Sequence, residues 1–283
     1  MKQIVSLAAI VLIVPLTACQ QEPAGQAVTR IDISGSQGTQ IAGDDTVESG
    51  DAAQTSASSA CSMTDFEEIV LTHCVADPAK HRIATAHSNN DDQPYGSLTA
   101  LSDAEQGQDI AFAMNGGMFD PDGLPMGYYV ESGDRLAELD REEGQGNFYL
   151  KPNGVFYGTG NNWQIKTADA FYSTVSARPT FGMQSGPMLV INGEMHPEIQ
   201  ENGPSKVIRN GVGVDSEGKA HFVISETPLS FGQLARFFRD EVKTPNALYL
   251  DGNISALWDP AQNRLDNRGA IGPMILVENS EGG

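Results

Sequence analysis

Cations are scarce in this 283-residue chain: 17 Lys and Arg stand against 37 Asp and Glu, a formal net charge of -20. Proteins that bind nucleic acid neutralise its line of phosphates with lysine and arginine, so no nucleic-acid partner is expected. Nor can the overall field draw in an anionic substrate; local donors in a pocket must grip any phosphate. Cysteine is as sparse, at three, too few for a disulfide scaffold or a structural zinc site. No apolar run reaches the roughly 18 residues that a membrane-crossing helix needs. The Gly-x-Ser-x-Gly elbow, the P-loop and the His-Glu-x-x-His helix are all missing, and no unit recurs at a fixed period. The five histidines (His73, His81, His87, His196 and His221) show no ligand spacing, so no metal site or cofactor is expected. A calcium ion on Asp120 and Asp122 is the alternative to reading them as solvated turn acids.

What is present begins with an export signal. Lys2 supplies a positive start, residues 4–16 an apolar segment, and Leu16-Thr17-Ala18-Cys19 the close, which reads as a secretory signal over residues 1–18. The close resembles a bacterial lipobox, in which Cys19 carries the lipid and becomes the first mature residue. A plain signal peptide cut near Ala18 is the alternative. Residues 19–60 read as a tether: from Gln20 to Ala60 there is no aromatic residue and little apolar bulk, too little to offset the entropy of ordering. The expectation is an exported, periplasm-facing protein held to the membrane by its lipid alone, with Gln20 favouring the outer membrane. In that compartment Cys61 and Cys74 have two readings: a disulfide at the start of the folded domain, or a buried Cys74 with Cys61 free.

The rest, residues 61–283, reads as one α+β domain with a largely antiparallel sheet and a few helices. Strands are expected over 66–75, 82–86, 110–114, 125–131, 163–167 and 271–278, and a short helix over 95–105. Residues 133–146 read as a surface loop. The aromatic stretch 147–157 reads as a hairpin turning at Pro152-Asn153-Gly154, and 209–226 as another turning at 215–218. Ser230 and Gln233 form a capping box, followed by Phe231, Leu234, Ala235, Phe238 and Val242 at helical spacing. Ala247 to Leu250 is a short apolar run of the kind buried on both faces of a sheet.

Polar residues gather at the ends of these strands, next to glycines. Ala113-Met-Asn-Gly-Gly-Met-Phe119, Asn147-Phe148 with Lys151-Pro-Asn-Gly-Val-Phe156, Gln184-Ser-Gly-Pro-Met188, Ile208-Arg-Asn-Gly-Val-Gly-Val214 and Asn246-Ala-Leu-Tyr-Leu-Asp-Gly-Asn-Ile-Ser255 follow one another along the chain. Together they resemble the phosphodiester glycosidase family, to which the lysosomal uncovering enzyme belongs, and within it the exported bacterial branch. The resemblance covers nearly all of residues 66–277. It implies hydrolysis of a sugar-1-phosphodiester, here in an envelope glycan or related exported polymer. One departure bears on the substrate: Asn253 stands where the family commonly has the second glycine of Asp-Gly-Gly-x-Ser.

Chemistry then assigns roles. A phosphate leaves the anomeric carbon as a stable anion, so charge stabilisation matters more than a strong general acid. Arg209 is expected to hold that phosphate as a fork, and Asp251 to act as nucleophile or base. Glu226 is the second-choice carboxylate. Asn115, Gly116, Gly117, Ser185, Gly186, Asn210, Asn253 and Ser255 are expected to contact substrate. His196 is carried with them, although a loop histidine without a role is its plainer reading. Two other functions fit the same residues: a lipoprotein that binds an envelope glycan without cleaving it, and a phosphodiesterase that cleaves phosphorus–oxygen bonds. The second often uses a two-metal cluster of Asp and His, for which the sequence shows no pattern.

Overall fold

The apolar runs are strands covered on both faces, and each side chain joins one core or the next in alternation. A computed structural model describes residues 58–251 and 254–280, which lie in one compact unit, Gln54–Gly283. The expected signal peptide, Cys19 and nearly all of the expected tether fall outside the described residues. Phe222 and Ile224 enter a central core while Val223 faces away from it. Leu248 and Leu250 do the same against Ala247 and Tyr249, Phe112 and Met114 against Ala113, and Phe156 against Val155 and Tyr157. A period of two marks pleated strands, and double-sided burial removes the polar alternation that a half-exposed strand would show.

Three antiparallel sheets share that core among the described residues. The seven-stranded sheet runs Cys61–Phe66, Ile69–Ala76, Ala220–Ser225, Asn210–Val214, Asn246–Tyr249, Met188–Ile191 and Glu194–Met195 from edge to edge. The second runs Arg264–Leu265, Leu257–Asp259, Ile110–Asn115, Met274–Asn279 and His81–Ala86. The third runs Asp134–Ala137, Tyr129–Glu131, Phe181–Ser185, Gly154–Thr159 and Asn162–Thr167. A helix contributes to the core on each sheet's outer side: Phe231–Arg236 on the first, Leu98–Ala104 on the second and Ala168–Thr174 on the third. The class is α+β, as the sequence implies. No described helix is long and apolar enough to cross a membrane.

Several local expectations are corrected. Residues 66–75 are not one strand, because Glu67 and Glu68 take φ of 47° and 63° and reverse the chain into a tight hairpin. Positive φ at both central positions is the turn that right-twisted strands need, here without the usual Asn-Gly signal. Cys61 and Cys74 face each other across that hairpin and are joined as a disulfide. The 147–157 hairpin is also absent. Asn147–Tyr149 is a 3-10 turn, and Gly154–Thr159 pairs forward with Asn162–Thr167 around Gly160, whose φ is 55°. Asp134–Ala137 is a strand inside the expected loop; it pairs on one side only and stays exposed, so it needs little apolar content.

The capping box forms as expected, with Ser230 Oγ accepting from Gln233 N and Gln233 Oε1 accepting from Ser230 N. Beyond Arg236 the coil widens into a π turn, Phe237–Glu241. That shift in phase buries Phe237 together with Phe238, and sets Phe237 edge-on to Phe66 and His73.

His73 also begins a polar chain on this sheet. Its Nε2 lies 2.9 Å from His221 Nδ1, and His221 Nε2 lies 3.0 Å from Asp215 Oδ2. Burial, reinforced by charge on His221, lowers the His73 pKa to about 4. The unfolded chain then binds more protons than the folded one between about pH 4 and 6.5, so this group's contribution to stability falls as pH drops through that window. Its size is on the order of 2–3 kcal/mol. Urea midpoints of the wild type and His73→Gln, measured from pH 7 to pH 4, are expected to diverge, the wild type losing more on acidification. Parallel curves would remove His73 as the cause.

Candidate active site

Strand ends from all three sheets meet at one corner, where the side chain of Asn115 ties the first sheet to the second. Asn115 ends the Ile110–Asn115 strand and is fully buried. Its Nδ2 donates to Asp251 Oδ2 at 3.2 Å and to Ile254 O at 2.7 Å. Its Oδ1 accepts from Asn210 Nδ2 at 3.0 Å and from Ala256 N at 2.8 Å. Asn210 Nδ2 also donates to Asn115 O, and Asn210 Oδ1 accepts from Asp251 N. From the third sheet, Ser185 Oγ donates to Leu250 O at 2.6 Å. Every polar atom of the Asn115 amide is satisfied, as burial demands.

Asp251 follows the last residue of that buried strand end. It is 5% exposed and lines an open cleft of about 530 Å³. Met118, Phe119, Gln145, Asn147, Phe148 and Ile254 form much of the wall. The carboxylate is thus oriented by Asn115 on one oxygen and by Asn210 through its backbone. A larger depression of about 830 Å³, beside Ser102 and Trp258, contains none of the expected site residues.

The other expected residues divide between supports and outsiders. Gly116 and Gly117 donate their N–H groups to Pro273 O, and a Cβ on either would meet the Met183 thioether. They permit close packing behind Asn115. A Cβ on Gly186 would meet Asn153 Cβ and Phe148 O. Ser255 is buried, its Oγ 3.5 Å from Ile208 O. Asn253 lies outside the described residues.

Arg209 does not face the cleft, and the expected open fork is corrected. It precedes Asn210 along one strand, and adjacent side chains on a strand point to opposite faces. Asn210 turns toward Asn115; Arg209 turns under the Phe231–Arg236 helix and is 2% exposed. Its Nε donates to Leu229 O, Nη1 to Tyr249 Oη, and Nη2 to Ser205 O and Oγ. The Phe231 ring centre lies 3.8 Å from its Cζ. All these partners are neutral, and they leave the fork no open side.

Glu226 and His196 are corrected in the same way. Glu226 Oε1 accepts from Thr72 Oγ1 at 2.6 Å and from Arg264 Nη1 at 2.5 Å, in a cluster completed by Asp266. His196 is buried near the edge strand Glu194–Met195, with Nδ1 accepting from Glu198 N and Nε2 without a partner among the described residues. Burial lowers its pKa. Neither residue lines the cleft at Asp251.

Sequence reasoning missed the cleft wall, because Gln145 sits in a stretch that reads as a polar loop. A signal existed in Gln184. It is buried, accepts from Tyr128 N and Asp140 N through Oε1, and donates to Asp140 O through Nε2, which pins the loop beside the cleft. Asp120, also at the cleft, accepts from Asp122 N and Leu124 N and so caps its own turn. No described trio of His, Cys, Asp or Glu is placed to hold a metal ion.

The model of the phosphodiester glycosidase family matches residues 108–278, a span that holds Asn115, Ser185, Asn210 and Asp251. The chain belongs to the phosphodiester glycosidase family. Uncharacterized protein YigE of Escherichia coli (strain K12) is 35% identical over 199 residues, covering 70% of this chain and 77% of that protein. Among solved structures, the catalytic domain of zebrafish N-acetylglucosamine-1-phosphodiester alpha-N-acetylglucosaminidase, auto-inhibited by its pro-peptide, shares the fold. It has a TM-score of 0.54 at 14% identity, over 78% of this chain and 82% of that one. Membership of the phosphodiester glycosidase family supports glycosidase-type hydrolysis as the class of chemistry.

Asn210→Ala is expected to strip partners from Asn115 O, Asn115 Oδ1 and Asp251 N at once. A buried unsatisfied group costs about 1–3 kcal/mol, so a drop of at least that size in the urea-unfolding free energy is expected. A change below about 0.5 kcal/mol, the scale of an ordinary surface substitution, would show that the network is dispensable.

Proposed function

We propose that this protein hydrolyses a sugar-1-phosphodiester by breaking the bond between the anomeric carbon and the phosphate oxygen. The observation that carries this reading is the Asp251 carboxylate at the cleft, held by Asn115 and set on a backbone that Asn210 anchors. The buried hydrogen bond from Asn115 orients the carboxylate, which is what attack at an anomeric centre or activation of water requires. The phosphate departs as a stable anion, so a single well-placed carboxylate suffices where ordinary glycosidases use two. With Arg209 turned away, the side-chain amides of Gln145 and Asn147 at the wall are the donors for the developing phosphate charge.

The substrate in this reading belongs to an envelope glycan or related exported polymer. The export signal and Cys19 support a lipid-anchored protein facing the periplasm, with the 19–60 tether giving the domain reach.

The test is turnover of a sugar-1-phosphodiester panel in oxygen-18 water. Label in the released sugar is expected, and label in the phosphate would reassign the enzyme as a phosphodiesterase. Asp251→Asn is expected to lower kcat/KM on the order of 10²–10⁴-fold; full retention would remove Asp251 from the mechanism. Binding without release from any substrate would favour the glycan-binding alternative. Separately, Cys19→Ala is expected to move the protein from the membrane to the soluble periplasmic fraction, and continued membrane retention would sink the lipid anchor.

A further inference from the structure

Positive charge is concentrated at a second depression. In a chain of net charge -20, Arg135, Arg141 and Arg178 line one cleft of about 430 Å³ against a single carboxylate, Glu138. The cleft lies between the hairpin Tyr129–Ala137 and the helix Ala168–Thr174 with the segment that follows it. Two of the cations are already engaged. Arg135 pairs with Glu138 at 2.8 Å, while Arg141 pairs with Asp169 at 3.1 Å and lies 4.3 Å over the Tyr172 ring. Arg178 is different: its bond is a 3.4 Å contact from Nη1 to Gly133 O, and no described carboxylate pairs with it.

Tyr128 also lines this cleft and is 5% exposed. Its backbone is bonded to Gln184, but its hydroxyl has no hydrogen-bond partner among the described residues. His196 Nε2 is the only described buried side-chain polar atom left without a partner, so the Tyr128 hydroxyl reaches the solvent of the cleft, where a ligand can meet it. Burial raises its pKa, Arg135 and Arg178 oppose that rise, and Glu138 adds to it. Near neutral pH the hydroxyl therefore stands as an O–H donor beside two guanidinium groups, the chemistry of an anion site.

The position of this cleft adds a constraint. Arg141 lines it, while Gln145 lines the cleft at Asp251, and the loop that carries both is fixed through Asp140 by Gln184. Four residues of chain span at most about 14 Å. One extended ligand crossing that loop reaches both sites.

We propose that the cleft formed by Arg178, Arg135, Arg141 and Tyr128 binds a second phosphodiester group of the substrate, so that the substrate is a saccharide chain carrying repeated phosphodiesters. This deepens the reading of Asp251 and rests on it for the identity of the first phosphodiester, but not for the binding itself.

The test uses the full-length protein carrying Asp251→Asn, so that turnover does not interfere, and calorimetric titration with synthetic saccharides bearing one or two phosphodiesters. The two-phosphodiester saccharide is expected to bind about tenfold more tightly, the scale of one hydrogen bond to a charged group. That advantage is expected to vanish in Arg178→Gln and to shrink in Tyr128→Phe, which keeps the packed ring and so controls for folding. Equal affinity for the two saccharides, an advantage that survives in both variants, or no binding of either would overturn the proposal. If the wild type hydrolyses neither saccharide while the advantage persists, the catalytic reading fails and this site stands.

Discussion

The corner of the fold that holds the candidate site depends on one buried amide. Asn115 donates and accepts through every polar atom of its side chain, and its partners belong to the first and second sheets and to the segment that leaves the first one. Interior amides have no water to fall back on, so a partial set of bonds would be worse than none. Only an asparagine satisfies this arrangement. An aspartate there would set a second carboxylate against Asp251, and a leucine would take a side-chain partner from Asn210, Ala256 and Asp251 together.

The same arrangement explains why the cleft is small in charge. The backbone carbonyls and amides at the strand ends pair with Asn115, Asn210 and Ser185, so few formal charges are needed to hold Asp251 in place. Arg209 is held on the far side of the same sheet by carbonyl and hydroxyl oxygens and by the Phe231 ring. A desolvated guanidinium with neutral partners is costly to build and costly to disturb. It fastens the Phe231–Arg236 helix, the 205–208 segment and the Asn210 strand together from behind the site.

Three sheets around one core also set where an extended ligand could lie. The loop between Ala137 and Asn147 separates two depressions, one uncharged but for its carboxylates and one rich in guanidinium groups. Gln184, deep in the third sheet, holds that loop through Asp140. Placement of both depressions thus follows from a single buried glutamine.

Much of this was legible in the chain. The apolar runs at 110–114, 222–225 and 247–250 announce buried strands, Ser230 with Gln233 announces a capped helix, and the asparagines and Asp251 at strand ends mark a candidate site. Those features are local: they depend on side-chain period, capping geometry and the company of glycine within a few residues. The family is also a property of linear motifs, matched over residues 108–278. The sequence could not show which face of a strand turns to which core. Arg209 and Asn210 are neighbours with opposite fates, and only the packing of a helix on one side and a second sheet on the other decides which of them joins Asn115 behind the cleft. The tight turn at Glu67-Glu68, the π turn after Arg236 and the joining of Arg135, Tyr128 and Arg178 in one depression are likewise tertiary outcomes. They arise because contacts between residues far apart in sequence outweigh local preference.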